Sequence, residues 1–411
     1  MPLTRRQIYR RRRIVVFGGL FAVLAGIAYL PLTLFAPVTE TAAALEVPSI
    51  QTPAAAETTL PSYGASAIAA LGYDGLLAQA GTTDAVPMAS ITKVVTALTV
   101  LDAHPISADD PGPAVTMSAA DVASYRDYIA RNGSVAPVSA GWTFSERELL
   151  EIMLIDSANN YAATLATWAF GSTDAYLAAA QAWLAKNQLD TITVVDTSGL
   201  DPRSTGTVDD IVRLGELALE HPIVAEIVGT KSVEIHDIGT VKNTNALIGH
   251  DGIDGIKTGT LDSFGANLLF SSSIQVGSET IELVGVVLGG PDHPTINAAI
   301  RDLIAQAQAG FHEVQLVAAG DVFASYTTPW GAETRAIAGE SASVVVWGDT
   351  PIAVSATAGG IRLAEQGDTV GQAVFTAGQR TLTVPLVLSG DVDDPGPWWR
   401  LGHPEIIFGM E

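Results

Sequence analysis

Six arginines, Arg5, Arg6 and Arg10 to Arg13, are followed at once by a 23-residue apolar run, Ile14 to Ala36. A helix of that length crosses a bilayer core, which needs about 20 apolar residues. Positive flanks stay cytoplasmic, so residues 1–13 read as a basic tail, 14–36 as a transmembrane segment and the remainder as extracytoplasmic. A buried helix of a soluble domain would not adjoin six arginines. A cleavable signal peptide gives the same export, with Ala42 and Ala44 forming an A-x-A site, but the run is longer than a usual signal core. The retained anchor is the reading adopted.

Those arginines are six of 21 basic residues, set against 44 acidic ones, so beyond the anchor 15 basic residues leave a net charge of −29. A surface of that sign repels phosphate backbones, which excludes nucleic acid as a partner. Cysteine is absent, and with it disulfides, thiolate nucleophiles, thiolate metal sites and a lipidated anchor. The seven histidines have no HExxH or similar spacing, so no metal and no cofactor are expected.

Residues 37–61, rich in Pro, Ala, Thr and Glu without apolar periodicity, read as an extended spacer. Two short apolar runs, Ala65 to Ala70 and Leu76 to Ala80, flank Gly72-Tyr73-Asp74-Gly75 and predict a hairpin. Helical spacing follows over Ser145 to Ala169, with Ser145 and Glu148 forming a capping-box pattern, and over Thr173 to Lys186 and Asp209 to Leu219. Strand signals return at Ala266 to Ile274 and Ile281 to Leu288, and Asn297 to Phe311 closes as a helix. Strands, helices, strands, helix is an α+β order. It implies that the outer parts share one antiparallel sheet, with a helical block between them and a cleft at the junction. This places one domain at 62–311. From His312 to Glu411 the texture is β-rich, as in Ser343 to Trp347 and Thr381 to Leu388, and predicts a small C-terminal β domain. Trp398 and Trp399 are expected in packing contacts.

Three motifs occur in order: Ser90-Ile91-Thr92-Lys93, Ser157-Ala158-Asn159 and Lys257-Thr258-Gly259-Thr260. Each alone arises by chance. Together they are specific, because only five lysines exist in the chain and two occupy motif positions. Three-residue spacing on a helix puts Ser90 and Lys93 on one face, where the amine can take the hydroxyl proton. Lys93 must then be neutral, which needs burial and a nearby second cation, a place Lys257 can fill. Ser157 can relay a proton to the departing amine, and the Asn159 amide can hold a substrate carbonyl or Lys93 itself. Lys257, Thr258 and Thr260 would receive a terminal carboxylate. Gly259 allows close approach of substrate backbone, and the N–H groups of Ser90 and Thr260 would form an oxyanion hole. One signal disagrees: seven of the twelve residues from Ser90 to Leu101 are β-branched, which favours a strand. The segment is kept helical because the chemistry needs Ser90 and Lys93 on one face.

Over roughly Tyr63 to Trp330 the sequence resembles the serine D-alanyl-D-alanine carboxypeptidases, the low-molecular-mass penicillin-binding proteins. Besides the three motifs, the resemblance includes Asp196-Thr197-Ser198-Gly199-Leu200, Asn243-Thr244-Asn245 and Gly252-Ile253-Asp254-Gly255-Ile256. It implies a penicillin-recognising transpeptidase-like domain, related in fold to the serine β-lactamases. Such a domain removes the terminal D-alanine of peptidoglycan stem peptides and is acylated by β-lactams as covalent inhibitors. Asn160 stands where members often carry Asp, and Phe264 where a small residue is common. Many members hold the membrane by a C-terminal amphipathic helix. Pro397 to Glu411 lacks that pattern, so the N-terminal segment would make the contact with the cytoplasmic membrane.

Other readings are a class A β-lactamase, a D,D-endopeptidase and a non-catalytic wall-binding scaffold. The first needs a deacylating glutamate, and none occurs from Asn160 to Gly215. The second uses the same site. The third has no need of Ser90, Lys93, Ser157, Asn159 and Lys257 together.

Overall fold

The computed structural model describes residues 5–410. Contacts gather the chain into two compact units. One comprises Ala54–Glu313 with Val345–Asp349; the other takes the chain up to Pro53, Val314–Val344 and the chain from Thr350 on.

The first unit is built on a five-stranded antiparallel sheet, ordered β4–β5–β6–β2–β3. Here β2 is Ala65–Ala70, β3 Leu76–Gly81, β4 Ile253–Leu261, β5 Gly265–Val276 and β6 Glu279–Gly290. The early hairpin therefore lies beside the late strands, as the order of sequence signals requires. Alternation along the strands divides the core. Ala65, Ala67, Ala69, Val284, Val286 and Leu288 face the helical block, while Ile68, Ala70, Leu283 and Val287 face α9, His293–Gly310. From α9, Ile296, Ile300, Leu303, Ile304 and Ala307 close that second layer.

The helical block comprises α2 Thr92–Ala103, α3 Ala119–Ala130, α4 Glu146–Ile155, α5 Asn159–Phe170, α6 Thr173–Lys186, α7 Val208–Glu220 and α8 Pro222–Val228. Despite its β-branched residues, α2 is helical and buried from Thr92 to Leu101. Burial on every side outweighs a propensity difference of under 1 kcal/mol per residue. The capping box is formed: Glu148 N–H donates to Ser145 Oγ at 3.2 Å, and Ser145 N–H donates to the Glu148 carboxylate at 2.8 Å. The run expected to be helical over Ser145 to Ala169 is two helices. It breaks at Asp156-Ser157-Ala158, where Ser157 takes φ +63°.

The second unit holds α1 Arg5–Leu34 and a six-stranded sheet ordered β1–β7–β8–β11–β10–β9. These strands are β1 Ala44–Leu45, β7 Val322–Thr327, β8 Glu333–Ala338, β9 Ile352–Ala358, β10 Thr369–Ala377 and β11 Arg380–Leu388. The spacer expected at 37–61 is folded in its first part. Val38 is 3% exposed, Thr41 bridges Ile361, and β1 pairs with Ala324 and Ser325. A strand-edge vacancy beside β7 captures a segment whose composition gave no periodic signal. The expected pairing of tryptophans in a packed contact holds for one of them. Trp399 stacks on His403 and meets Trp330 edge-on, whereas Trp398 is 86% exposed. Both lie on α10, Pro397–Gly402, which packs along α1.

Candidate active site

Ser90 lies in a single 3₁₀ turn, Ala89–Ile91, that runs directly into α2. Ala89 before it is left-handed at φ +50°. A non-glycine residue in that region is uncommon and is retained where neighbours hold it. Two contacts hold it here. Asn267 of β5 donates through Nδ2 to Pro87 O at 3.1 Å. Gly199, at φ +76°, packs so close that a Cβ there would stand 1.8 Å from Ala89 O.

Lys93, one turn on, is fully buried, and its Nζ donates to Ser90 Oγ at 2.8 Å and to Ser198 O at 3.1 Å. Burial pushes its proton affinity well below the ordinary lysine value, Lys257 pushes the same way, and Asp196 opposes both. Lys93 is thus the group able to accept a proton from Ser90. Its second anchor is the Ser198 carbonyl, not the Asn159 amide that residue types alone allowed. That carbonyl is held in place by Asp196, whose carboxylate accepts from Gly199 N–H at 2.9 Å, Leu200 N–H at 2.9 Å and Ser204 Oγ at 2.9 Å. Thr96 of α2 adds a bond to Thr197 O at 2.8 Å.

Ser157 and Asn159 are 5% and 3% exposed in the turn between α4 and α5. Asn159 N–H donates to Ser134 O at 2.8 Å, and the side-chain oxygen is buried without a hydrogen-bond partner. Gly133 makes room for the amide, since a Cβ there would meet Asn159 Nδ2 at 2.6 Å. Asn160 is structural: its amide exchanges hydrogen bonds with Ala136 N–H and O.

Lys257, Thr258, Gly259 and Thr260 run along β4, the edge strand of the sheet, which packs against the Ser90 turn. Gly259 is needed there, because a Cβ would lie 3.1 Å from Ser90 N and 2.9 Å from Ala89 Cβ. Thr244 ties the end of α4 to the third motif: its N–H donates to Ile155 O at 3.1 Å and its hydroxyl meets Thr258 Oγ1 at 2.5 Å. Lys257 is 1% exposed, with Nζ donating to Thr258 O at 3.1 Å. Burial brings it down to about 7, and neighbouring Asp156 works against that. Both amines are thus depressed, Lys93 by burial and by Lys257, and Lys257 by burial against the pull of Asp156.

The three motifs thus converge from α2, the α4–α5 turn and β4. A cavity of about 550 Å³ between α9 and β5, lined by Asp251, Arg301 and Asp302, contains none of these residues. Chemistry, rather than concavity, marks the site. Sequence reasoning did not single out Thr96, Asn267, the Ser198 carbonyl or His293, whose Nε2 lies 2.8 Å from Thr260 Oγ1. Their contribution is through fold-dependent neighbours, and the one local signal was the Asp196-Thr-Ser-Gly turn.

A family model described as D-alanyl-D-alanine carboxypeptidase matches residues 67–292. The carboxypeptidase DacD of Salmonella typhimurium is 26% identical over 239 residues, covering 56% of this chain and 59% of that one. A D-alanyl-D-alanine endopeptidase of Pseudomonas aeruginosa is 28% identical over 196 residues, 46% of this chain and 60% of the other. The chain thus spans about three-fifths of the length of these curated relatives. Penicillin binding protein 6B of Escherichia coli superposes with a TM-score of 0.60 at 20% identity, covering 82% of this chain and 99% of that one. With more than half of its length matched by that model, the chain belongs to the D-alanyl-D-alanine carboxypeptidase family.

Proposed function

We propose that the protein is a serine D,D-carboxypeptidase, which removes the terminal D-alanine from peptidoglycan stem peptides through an acyl-enzyme on Ser90. The carrying observation is the buried Lys93 amine, 2.8 Å from Ser90 Oγ and depressed in proton affinity. Lys93 takes the hydroxyl proton as Ser90 Oγ attacks the penultimate carbonyl. The N–H groups of Ser90 and Thr260 receive the oxyanion, and Ser157 passes the proton to the leaving D-alanine amine. Asn159 binds the substrate backbone. Lys257, Thr258 and Thr260 hold the terminal carboxylate, and Gly259 lets the peptide lie along the β4 edge. Water then releases the shortened peptide. A β-lactam carries the same carboxylate beside a reactive carbonyl, so it acylates Ser90.

The endopeptidase relative supports a second reading, cleavage of crosslinks by the same residues. Incubation with a pentapeptide and with a crosslinked dimer separates the two. Free D-alanine from the pentapeptide is the expected product. Turnover of the dimer alone would assign the endopeptidase activity, and turnover of neither would overturn both.

We also infer that α1 is kept as a membrane anchor. Its apolar part, Ile14 to Leu34, spans about 31 Å as a helix, matching a bilayer core. The end away from the arginines is bound into the second unit. Tyr29 OH donates to Leu401 O at 2.7 Å, Arg400 donates to Ala36 O at 2.6 Å, and Thr39 Oγ1 donates to Ile406 O at 2.7 Å. Cleavage after Ala44 would remove all three partners. Intact mass of the membrane-extracted protein should include residues 1–44; a mass beginning near Leu45 would rule the anchor out.

A further inference from the structure

We propose that His293 is part of the receptor for the substrate's terminal carboxylate and couples substrate binding to uptake of a proton. The proposal rests on the carboxypeptidase reading above. His293 opens α9, directly after the N-cap Asp292, and its Nε2 lies 2.8 Å from Thr260 Oγ1. Residues two apart on a strand share a face, so Thr258 and Thr260 point to the same side of β4. The Thr258 hydroxyl is fixed by Thr244 and the Thr260 hydroxyl by His293. Two hydroxyls and the imidazole therefore lie along one face of an edge strand, with Lys257 near enough to bear on the imidazole, a set suited to a carboxylate. The first helical turn of α9 adds a positive dipole end.

The charges that bear on the imidazole are Lys257 from β4 and Asp292 from its own helix start; Tyr63 faces Asp292 and Asp156 faces Lys257. Half-burial and Lys257 lower the proton affinity of His293 below the ordinary histidine value, and Asp292 only partly opposes them. In the empty site the ring is neutral near pH 7. An arriving carboxylate reverses the local field and favours imidazolium, so it binds together with a proton. By reciprocity, lowering the pH strengthens binding until the free site is itself protonated. Each unit by which the bound carboxylate raises the His293 pKa gives up to about tenfold in affinity over that window.

The experiment uses full-length Ser90→Ala protein in detergent, which binds substrate without being acylated. Calorimetric titration with a peptide ending in D-alanyl-D-alanine, in buffers of different ionisation enthalpy, counts the protons taken up. Because Lys257 can also gain a proton, the informative quantity is the difference on adding His293→Gln, which keeps an amide able to bond Thr260. Expected are a loss of about half a proton or more near pH 7, an affinity about three- to tenfold weaker at pH 6, and little change at pH 8. The same peptide ending in an amide should show no such difference. The circular dichroism spectrum and thermal melt of His293→Gln report whether the fold survives, with His293→Asn as a second variant. Equal proton uptake with and without His293, or an equal effect with the amide peptide, overturns the proposal. Failure of the Ser90 protein to label with penicillin overturns the carboxypeptidase reading beneath it.

Discussion

Ser90 and Lys257 are assigned to different steps and should fail differently. Ser90→Ala removes the hydroxyl placed against Lys93, so penicillin labelling should vanish while the fold persists. Lys257→Ala should slow acylation by about 10- to 150-fold, the equivalent of a charge-assisted contact of roughly 1.5 to 3 kcal/mol. Timed intact-mass spectrometry distinguishes the two, and an adduct on Ser90→Ala would remove the nucleophile assignment. Gly199 acts at the same scale without touching substrate. With φ +76° and a virtual Cβ 1.8 Å from Ala89 O, Gly199→Ala has to displace the backbone that presents Ser90. Strain of about 1 to 3 kcal/mol there should slow acylation about 5- to 150-fold, with little loss of helical circular dichroism. Unchanged labelling would show that the turn tolerates the shift.

Among the elements, α4 combines a well-formed start with a costly one. Ser145 caps it, so Ser145→Ala should destabilise by about 1 kcal/mol. The next residue, Glu146, is fully buried with neither carboxylate oxygen partnered. Burial, with Asp110 nearby, raises it to about 7. A carboxyl whose proton affinity is raised in the folded state contributes stability that is complete below its unfolded value near 4.5 and is lost as pH rises through about 7. Glu146→Gln should therefore stabilise the protein at pH 8 by roughly 1 to 3 kcal/mol and much less at pH 5. Thermal melts at the two pH values test this; a gain that is equal at both would mean that Glu146 is ionised or hydrated throughout. The break between α4 and α5 was hidden because both sides keep helical spacing, and only the left-handed Ser157 interrupts it.

Across the whole molecule, residues 38–45 belong to the β-rich unit, not to a free tether. Removal of residues 1–36 should leave both units folded. Removal of 1–53 takes away Val38 and β1, and should lower the melting temperature of the β-rich unit by about 3 to 10 °C while leaving penicillin acylation unchanged. Differential scanning calorimetry of the two truncated chains, with labelling in parallel, decides between this and an inert tether. The unit that carries the three motifs likewise borrows from a distant stretch. Trp347 packs edge-on against Phe311, and Tyr73 OH donates to Val345 O at 3.1 Å, so a cut at residue 311 would strip that face.

Local patterning carried the helix and strand identities, the shared sheet, the N-terminal apolar helix and the three motifs, because apolar period, caps and residue spacing are properties of short segments. The helicity of α2 was legible only through the demand that Ser90 and Lys93 share a face, since its β-branched residues point the other way. What tertiary structure alone decided are contacts between segments far apart in sequence. The Ser198 carbonyl reaches Lys93 across 105 residues, His293 reaches Thr260 across 33, and the supposed spacer pairs with a strand some 280 residues on. Such partners leave no periodic trace, because a backbone carbonyl or an edge-strand vacancy accepts almost any residue that geometry delivers to it.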